Sequence, residues 1–297
     1  MKQFRKILVI VLALALVLSL CACSAFESKM AKAAQKMSKA DSFRMDMDMD
    51  MVMNLAAMGE SMAIDAKVQA EADVLTDPVK MAGSVSMDMM GEEVDFLFCV
   101  EQKDDTLSLY LSSDDGETWA RRDVDDVKKP EVSKAEMLGA LSKLAATFEE
   151  TGTEEIRGSK STVFSGVISG ADISAAIAES GAMEQMAEVG ESAEIDLSGL
   201  DFSNLSDIPT TIAIDDKSGM VSRYTMDMTD IMQDFMDQIM NVVLAQVAKE
   251  SGMEGVDLSE LGFTLEIETV QASVELYDYN QVKSVEIPEA ALEAEAA

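Results

Sequence analysis

The sequence predicts an α+β domain built on a long antiparallel meander. Apolar and acidic residues alternate along several segments, which is the period of a strand with one buried and one solvated face. Short turn signals separate these segments, and runs with apolar residues at helical spacing precede and interrupt them. The hydrophobic fraction of 48% is large enough for a core.

The N-terminal residues are predicted to form a lipoprotein signal peptide, residues 1–22. An almost unbroken apolar run over 7–20 is too short to span a bilayer comfortably. Three positive charges precede it, from Lys2, Arg5 and Lys6. A resemblance to the bacterial lipobox is present in Leu20-Cys21-Ala22-Cys23. Cys23 is therefore the expected lipidated residue and mature N-terminus. The alternative is an uncleaved membrane anchor.

The first half of the mature chain is predicted to be a helix followed by strands. Residues 23–41 contain the lipidated N-terminus and a helix at about 28–40, with apolar residues at helical spacing. From Phe43 to Met53 the segment FRMDMDMDMVM alternates strictly, which predicts a strand with one methionine face and one acidic face. Further strands are expected at about 62–75, 79–90, 93–101 and 105–112.

The second half mixes helices and strands in one domain, 42–287. Ser133 and Glu136 form a capping box that opens a helix at 133–149. A strand pair (152–157, 160–168), a helix (171–180), a hairpin within 209–228, a helix (230–250) and strands at 262–278 and 282–287 follow. Residues 181–208 are expected to be a loosely ordered insertion and 288–297 an acidic tail.

Four segments carry a resemblance to the LolA/LppX-type lipoprotein superfamily over residues 27–287. They are the lipobox-like 20–23, SFRMDMDMDMVM, LYLSSDDGETWARRDV and TTIAIDDKSGMVSRYTMDM. The resemblance implies a curved antiparallel sheet, shaped as a half-open barrel, with helices on its concave face and room for lipid acyl chains. The methionine content and the low-complexity segment 181–208 are not hallmarks of that superfamily.

Composition excludes several function classes. The chain carries 56 acidic and 23 basic residues, a formal net charge of −33, which disfavours nucleic-acid binding. It contains no histidine, so His-based catalysis and His-ligated zinc are excluded, and no nucleotide-binding loop is present. Cys99 is expected to be a buried thiol. The sequence therefore predicts no enzyme activity, no cofactor and no metal.

The methionine stripe is the candidate binding feature. Its proposed hydrophobic-ligand lining consists of Met45, Met47, Met49, Met51 and Met53 on the strand and Met232, Phe235, Met236, Ile239 and Met240 on the helix at 230–250. Flexible thioethers repack around varied apolar shapes, which favours such a lining. The alternatives are a solid methionine-rich core, and a Cu(I) site because Met-x-Met offers soft ligands.

Two acidic motifs resemble ion sites or enzyme motifs. Asp46, Asp48 and Asp50 alternate along one strand, and the positions that a calcium loop would need are held by Met51 and Ala57. A solvated strand face is the better interpretation. Residues 112–119 match the Asp-box pattern once, which predicts a polar hairpin with Trp119 packed onto the domain.

The sequence thus predicts a non-enzymatic lipoprotein on the outer, extracytoplasmic face of a cell membrane. Its partners are the membrane, through diacylglycerol on Cys23, and a lipid or other hydrophobic ligand that it binds or shuttles. The alternative is a surface structural or protein-interaction module with a solid methionine-rich core and no ligand. No motif identifies a protein partner.

Overall fold

The computed structural model describes residues 26–57, 60–124, 147–180, 200–250 and 264–295. The predicted signal peptide, Cys23, most of the predicted helix at 133–149 and residues 181–199 of the predicted insertion lie outside these ranges. Within them, no helix is both long enough and apolar enough to span a membrane.

In the described residues, eleven antiparallel strands form one open sheet in the order β6-β5-β4-β3-β2-β1-β11-β10-β9-β8-β7. The strands are β1 Ser42–Ala57, β2 Glu60–Thr76, β3 Val79–Met89, β4 Glu92–Lys103, β5 Thr106–Ser112, β6 Ala120–Val124, β7 Glu149–Ile156, β8 Ser159–Ile168, β9 Ile208–Asp215, β10 Val221–Asp227 and β11 Thr264–Tyr277. The predicted fold class, an α+β half-open barrel with helices on its concave face, is confirmed.

The described residues contain four helices, of which the first three follow the sequence prediction. They are α1 over residues 26–37, α2 Gly170–Ser180, α3 Thr229–Glu250 and α4 Glu289–Leu292. Two details of the prediction are wrong. Glu149 begins β7 instead of ending a helix, and residues 282–287 form no strand but run as an irregular segment into α4.

The two faces of the sheet differ as the alternation in β1 predicts. In the register of β1, Met47 lies opposite Ala70 of β2 and Val274 of β11, whereas Asp48 lies opposite Gln69 and Ser273. Residues directly opposite each other in antiparallel strands share a face. We call the face of the β1 methionines the inner face and the face of the β1 aspartates the outer face.

Helix α1 covers the inner face at β8, β9 and β10. Tyr224 of β10 lies opposite Val274, which places it on the methionine face, and it packs against the same buried cluster as Met30 and Met37 of α1. The centre of this cluster is aromatic, because the ring of Phe26 stacks on Phe148 at 4.8 Å and meets Phe164 edge-on at 5.1 Å. Gly166 permits this packing, since a Cβ there would lie 2.5 Å from the Phe148 ring.

A second inner-face cluster joins α2, α3 and residues 200–208. Leu200, Phe202 and Leu205 are buried against Ile231 of α3, so the described end of the predicted insertion packs into the core. Gly170 allows the close approach of this segment, because a Cβ there would lie 1.8 Å from the Leu205 carbonyl oxygen.

Helix α3 docks on the stretch of β11 that β10 leaves unpaired. Because β10 ends at Asp227, the backbone of β11 beyond this point needs other partners. Thr229 Oγ1 accepts a hydrogen bond from the Val270 amide at 2.9 Å. The Gln233 amide accepts one from the Ile267 N–H at 2.6 Å and donates one to the Leu265 carbonyl at 3.1 Å. The side chains of α3 thus continue the ladder.

The C-terminal segment is bound to the sheet along its length and ends on the outer face. The Asn280 amide donates to the Ser42 carbonyl at 2.8 Å, and the Tyr279 hydroxyl donates to the Val221 carbonyl at 2.8 Å. Ala291 of α4 is fully buried against Cys99 and Tyr110. The part of the predicted acidic tail that the structure describes is therefore docked on the sheet.

Alkaline pH is expected to loosen this docking through Tyr279. Burial raises the pKa of Tyr279, because the phenolate would lose its hydration. The stabilisation is therefore full below about pH 10, the ordinary tyrosine pKa, and is lost as the pH rises above it. Urea unfolding followed by Trp119 fluorescence at rising pH should show this loss. A Tyr279→Phe variant should lose less stability over the same range; an equal loss in both proteins would contradict the assignment.

Candidate functional site

The five predicted methionines of β1 lie together on the inner face, and each is half-buried. Their neighbours on β2 are mainly short side chains. Met45 lies opposite Ala72, Met47 opposite Ala70, Met49 opposite Val68 and Met51 opposite Ala66. On the inner face, the long methionine side chains of β1 therefore stand beside the mainly short side chains of β2.

Bulkier residues flank β2 on its other side. Met87 and Met89 of β3 lie opposite Val68 and Ala66, and Phe96 and Phe98 of β4 stand one strand further on, opposite Val85 and Gly83. By side-chain size, this register outlines a strip of small residues beside larger ones, which we call the β2 groove, with Ala66, Val68, Ala70 and Ala72 as its floor. The floor extends over six residue-to-residue steps, or about 20 Å at the rise of a strand. One leaflet of a bilayer core is about 15 Å thick, so an acyl chain matches this length.

The groove is buried at one end and exposed at the other. Ala72 and Val74 are each 5% exposed, whereas Met87 is 38% and Met89 57% exposed. Met62, Met90 and Val94 are also exposed large apolar side chains near this end. Contiguous exposed apolar surface with polar surroundings is typical of an interaction site. The sheet therefore presents an apolar surface that opens toward the turn between β3 and β4.

The predicted lining on α3 divides into two groups. Phe235 and Ile239 pack into the cluster around Ile231, and the Phe235 ring lies 4.6 Å from that of Phe202. Met232, Met236 and Met240 are half-buried. None of the described hydrophobic clusters joins these α3 residues to the β1 methionines.

The alternating aspartates of β1 engage neighbours on the outer face. Asp46 accepts hydrogen bonds from the Tyr277 hydroxyl, at 2.9 Å, and from Arg157, whose guanidinium lies 3.6 Å above the Tyr277 ring. Asp48 accepts one from the Gln69 amide at 2.7 Å. Among the described residues, no three acids or cysteines are grouped as metal ligands.

Residues 112–119 form the predicted polar hairpin. The backbone and hydroxyl of Thr118 donate to Asp114 at 2.9 and 2.6 Å, and these bonds lower the pKa of Asp114 to about 2. The Trp119 indole donates to the Gly116 carbonyl at 3.0 Å and packs beside Cys99. Burial raises the pKa of the Cys99 thiol, which keeps it protonated.

One buried carboxylate lies outside the groove. Glu101, 5% exposed on β4, is held by Lys80 and Lys103 at 2.8 and 2.6 Å. Burial opposes ionisation of this carboxyl, but the two lysines lower its pKa below the ordinary value. Glu101 is therefore a paired structural charge, with no access to the groove on the opposite face.

Sequence reasoning missed the β2 floor and the walls from β3 and β4. The signal for them was present in the two tight turns, Asp77-Pro78 and Met90-Gly91, which set the register of β2, β3 and β4. With that register, the residues opposite the β1 methionines follow directly.

Comparison with solved structures finds lipoproteins of similar fold. LppX of Mycobacterium tuberculosis shares 14% identity at a TM-score of 0.41, covering 89% of this chain and 99% of that one. LprF of Mycobacterium bovis shares 12% at 0.40, covering 90% and 98%. A domain from Vibrio parahaemolyticus named for outer membrane lipoprotein sorting shares 9% at 0.20, covering 89% and 95%.

The solved structures that match are lipoproteins of the kind named by the sequence resemblance. No curated protein matches the sequence. A protein family matches residues 26–256, a range that begins with α1 and extends beyond α3. The chain belongs to this family, which is described as a family of unknown function, DUF6612.

Proposed function

We propose that this chain is a non-enzymatic, extracytoplasmic lipoprotein, anchored to the membrane through diacylglycerol on Cys23, that binds or shuttles a lipid or another hydrophobic ligand. The observation that carries the proposal is the β2 groove. Its floor and its methionine wall form a continuous apolar surface about as long as an acyl chain.

The chemistry of the groove favours binding over catalysis. On the inner face, β1 from Met45 to Met53 and β2 from Ile64 to Val74 carry apolar side chains at every position. Burial of an acyl chain there would be driven by removal of apolar area from water, at about 0.8 kcal/mol per methylene. Methionine side chains adapt to chains of different length and unsaturation.

The direct test uses the mature chain beginning at residue 23, with Cys23→Ser so that no anchor lipid is counted. Native mass spectrometry and solvent extraction should find co-purifying lipid, and the stripped protein should take up a fluorescent fatty acid. Purified protein that carries no lipid and takes up no probe would contradict the proposal.

Loss of the anchor should change where the protein is found. A Cys23→Ala chain cannot receive diacylglycerol, and stable membrane attachment requires two buried acyl chains. We expect most of the variant in the soluble fraction outside the cytoplasmic membrane, whereas the native chain sediments with membranes. Fractionation followed by immunoblotting measures the ratio. A variant retained at the membrane as fully as the native chain would support an uncleaved anchor instead.

The second candidate is a surface structural or protein-interaction module without a ligand. The packing of Phe235 and Ile239 against residues 200–208 favours it, because the protein itself fills this part of the predicted lining. This candidate predicts no lipid uptake, so the binding experiment separates the two functions.

A further inference from the structure

Helix α1 is basic in a strongly acidic protein. Residues 26–40 contain four lysines and a single acid, Glu27, whereas the whole chain has a formal net charge of −33. Such a reversal of sign in one short element calls for a partner of opposite charge, within the protein or outside it.

The protein itself uses only part of this charge. Lys29 is turned toward the sheet, where its ammonium donates to Thr162 Oγ1 at 2.9 Å and lies 5.5 Å from the Phe164 ring centre. Lys36 donates to the Ser218 carbonyl. Lys32 and Lys39 are exposed, and no described residue forms an ion pair with either of them.

The exposed lysines share one side of the helix. Phe26, Met30, Ala33 and Met37 face the sheet, so the opposite side presents Ser28, Lys32, Gln35, Lys36 and Lys39 to solvent. The spacing of four and three residues keeps Ser28, Lys32 and Gln35 in one stripe along α1, and Lys39 extends this side in the turn that follows the helix. We call it the lysine stripe, with Lys32 and Lys39 as its unpaired members.

The position of α1 places the stripe next to the proposed anchor. Phe26 is fully buried, so the chain is fixed to the domain only three residues after Cys23. Three residues span at most about 11 Å. At physiological ionic strength, charges interact over about 8 Å before salt screens them. A lipidated Cys23 therefore holds the start of α1 beside the headgroups, and Lys32 and Lys39 come within this screening distance when α1 lies along the membrane surface.

We propose that the lysine stripe of α1 binds the anionic headgroups of the membrane and orients the domain on it. This inference rests on the proposed lipidation of Cys23. An acidic domain tethered this closely would otherwise be repelled by an anionic surface. The stripe gives the side of the domain nearest the membrane a positive charge that attracts anionic headgroups. The carboxylates of the outer sheet face remain exposed to solvent.

The test uses the full lipidated protein in vesicles of phosphatidylcholine, with or without phosphatidylglycerol. An amine-reactive reagent and peptide mass spectrometry report the labelling rate of each lysine. Lys32 and Lys39 should label about fivefold more slowly on anionic vesicles, the factor equivalent to about 1 kcal/mol per lysine near such a surface. Lys67, exposed on the outer face of β2, should label equally on both, and high salt should abolish the difference.

A competition between the two vesicle populations gives a second readout. Replacement of Lys32 and Lys39 by Gln should lower the preference for anionic vesicles about tenfold or more, and Lys67→Gln should leave it unchanged. Equal labelling on both vesicles, or an equal effect of Lys67→Gln, would overturn the role of the stripe. A protein that enters neither vesicle would overturn the anchoring at Cys23, and this inference with it.

Discussion

An Ala70→Phe substitution should weaken the binding of a hydrophobic ligand about a hundredfold. Ala70 lies at the middle of the β2 groove, between Met47 of β1 and Val85 of β3. A phenyl ring at this position would occupy the floor and displace about four methylenes of a bound chain. At about 0.8 kcal/mol per methylene this is about 3 kcal/mol, or roughly a hundredfold weaker binding. Titration with a fluorescent fatty acid measures the change.

The same strand supplies a matched control. Ala63 is exposed and points to the outer face, because successive residues of a strand alternate between faces. Ala63→Phe adds the same ring to β2 without entering the groove, and its affinity for the probe should equal that of the unmodified protein. An equal loss of affinity in both variants, with circular dichroism showing that both remain folded, would place the ligand elsewhere. Unchanged binding in both would exclude the groove.

The faces of β1 could be predicted from the sequence because alternation is a local property. Met45 and Asp46 must point to opposite faces in any strand, whatever lies beside them. The groove could not be predicted in the same way, since Ala70 and Met87 join it only through the register of neighbouring strands. A pattern within one strand says which side is apolar, but not which residues share that side.

The C-terminal segment shows how a strand pattern can mislead. Val282, Val285 and Ile287 are spaced closely enough to suggest a strand. A strand also needs a free edge, and β11, which immediately precedes this segment, is paired on both sides by β1 and β10. The segment instead runs to α4 on the outer face, and Val282 and Val285 are buried without joining the ladder.

The helix α3 illustrates a second limit. A broad apolar face indicates that this side of a helix is covered. The sequence does not say whether side chains of the protein or a bound ligand cover it. Phe202 and Leu205 come from a segment rich in polar residues, and they fill the space beside Ile231. Their contribution depends on the close approach at Gly170, a tertiary contact that no local pattern encodes.

The largest loss of stability is expected from Phe164→Ala. Phe164 is fully buried where β8, α1 and residue 148 meet, and its ring contacts Phe26 edge-on. Removal of the ring leaves a cavity between the sheet and α1, which costs about 3–5 kcal/mol for a buried phenylalanine. Urea unfolding followed by far-UV circular dichroism should show this as a lower midpoint with an unchanged slope.

A Phe164→Leu variant separates cavity formation from loss of the aromatic contact. Leucine keeps the site apolar and most of its volume filled, so the cost should stay below about 1.5 kcal/mol. The ammonium of Lys29 would lose the ring that it faces at 5.5 Å, but its hydrogen bond to Thr162 would remain. If Phe164→Leu destabilised the protein as much as Phe164→Ala, ring-specific contacts rather than filled volume would hold α1 on the sheet. If neither did, α1 would not belong to the cooperative core, and the short, defined connection between the anchor and the β-sheet would be lost.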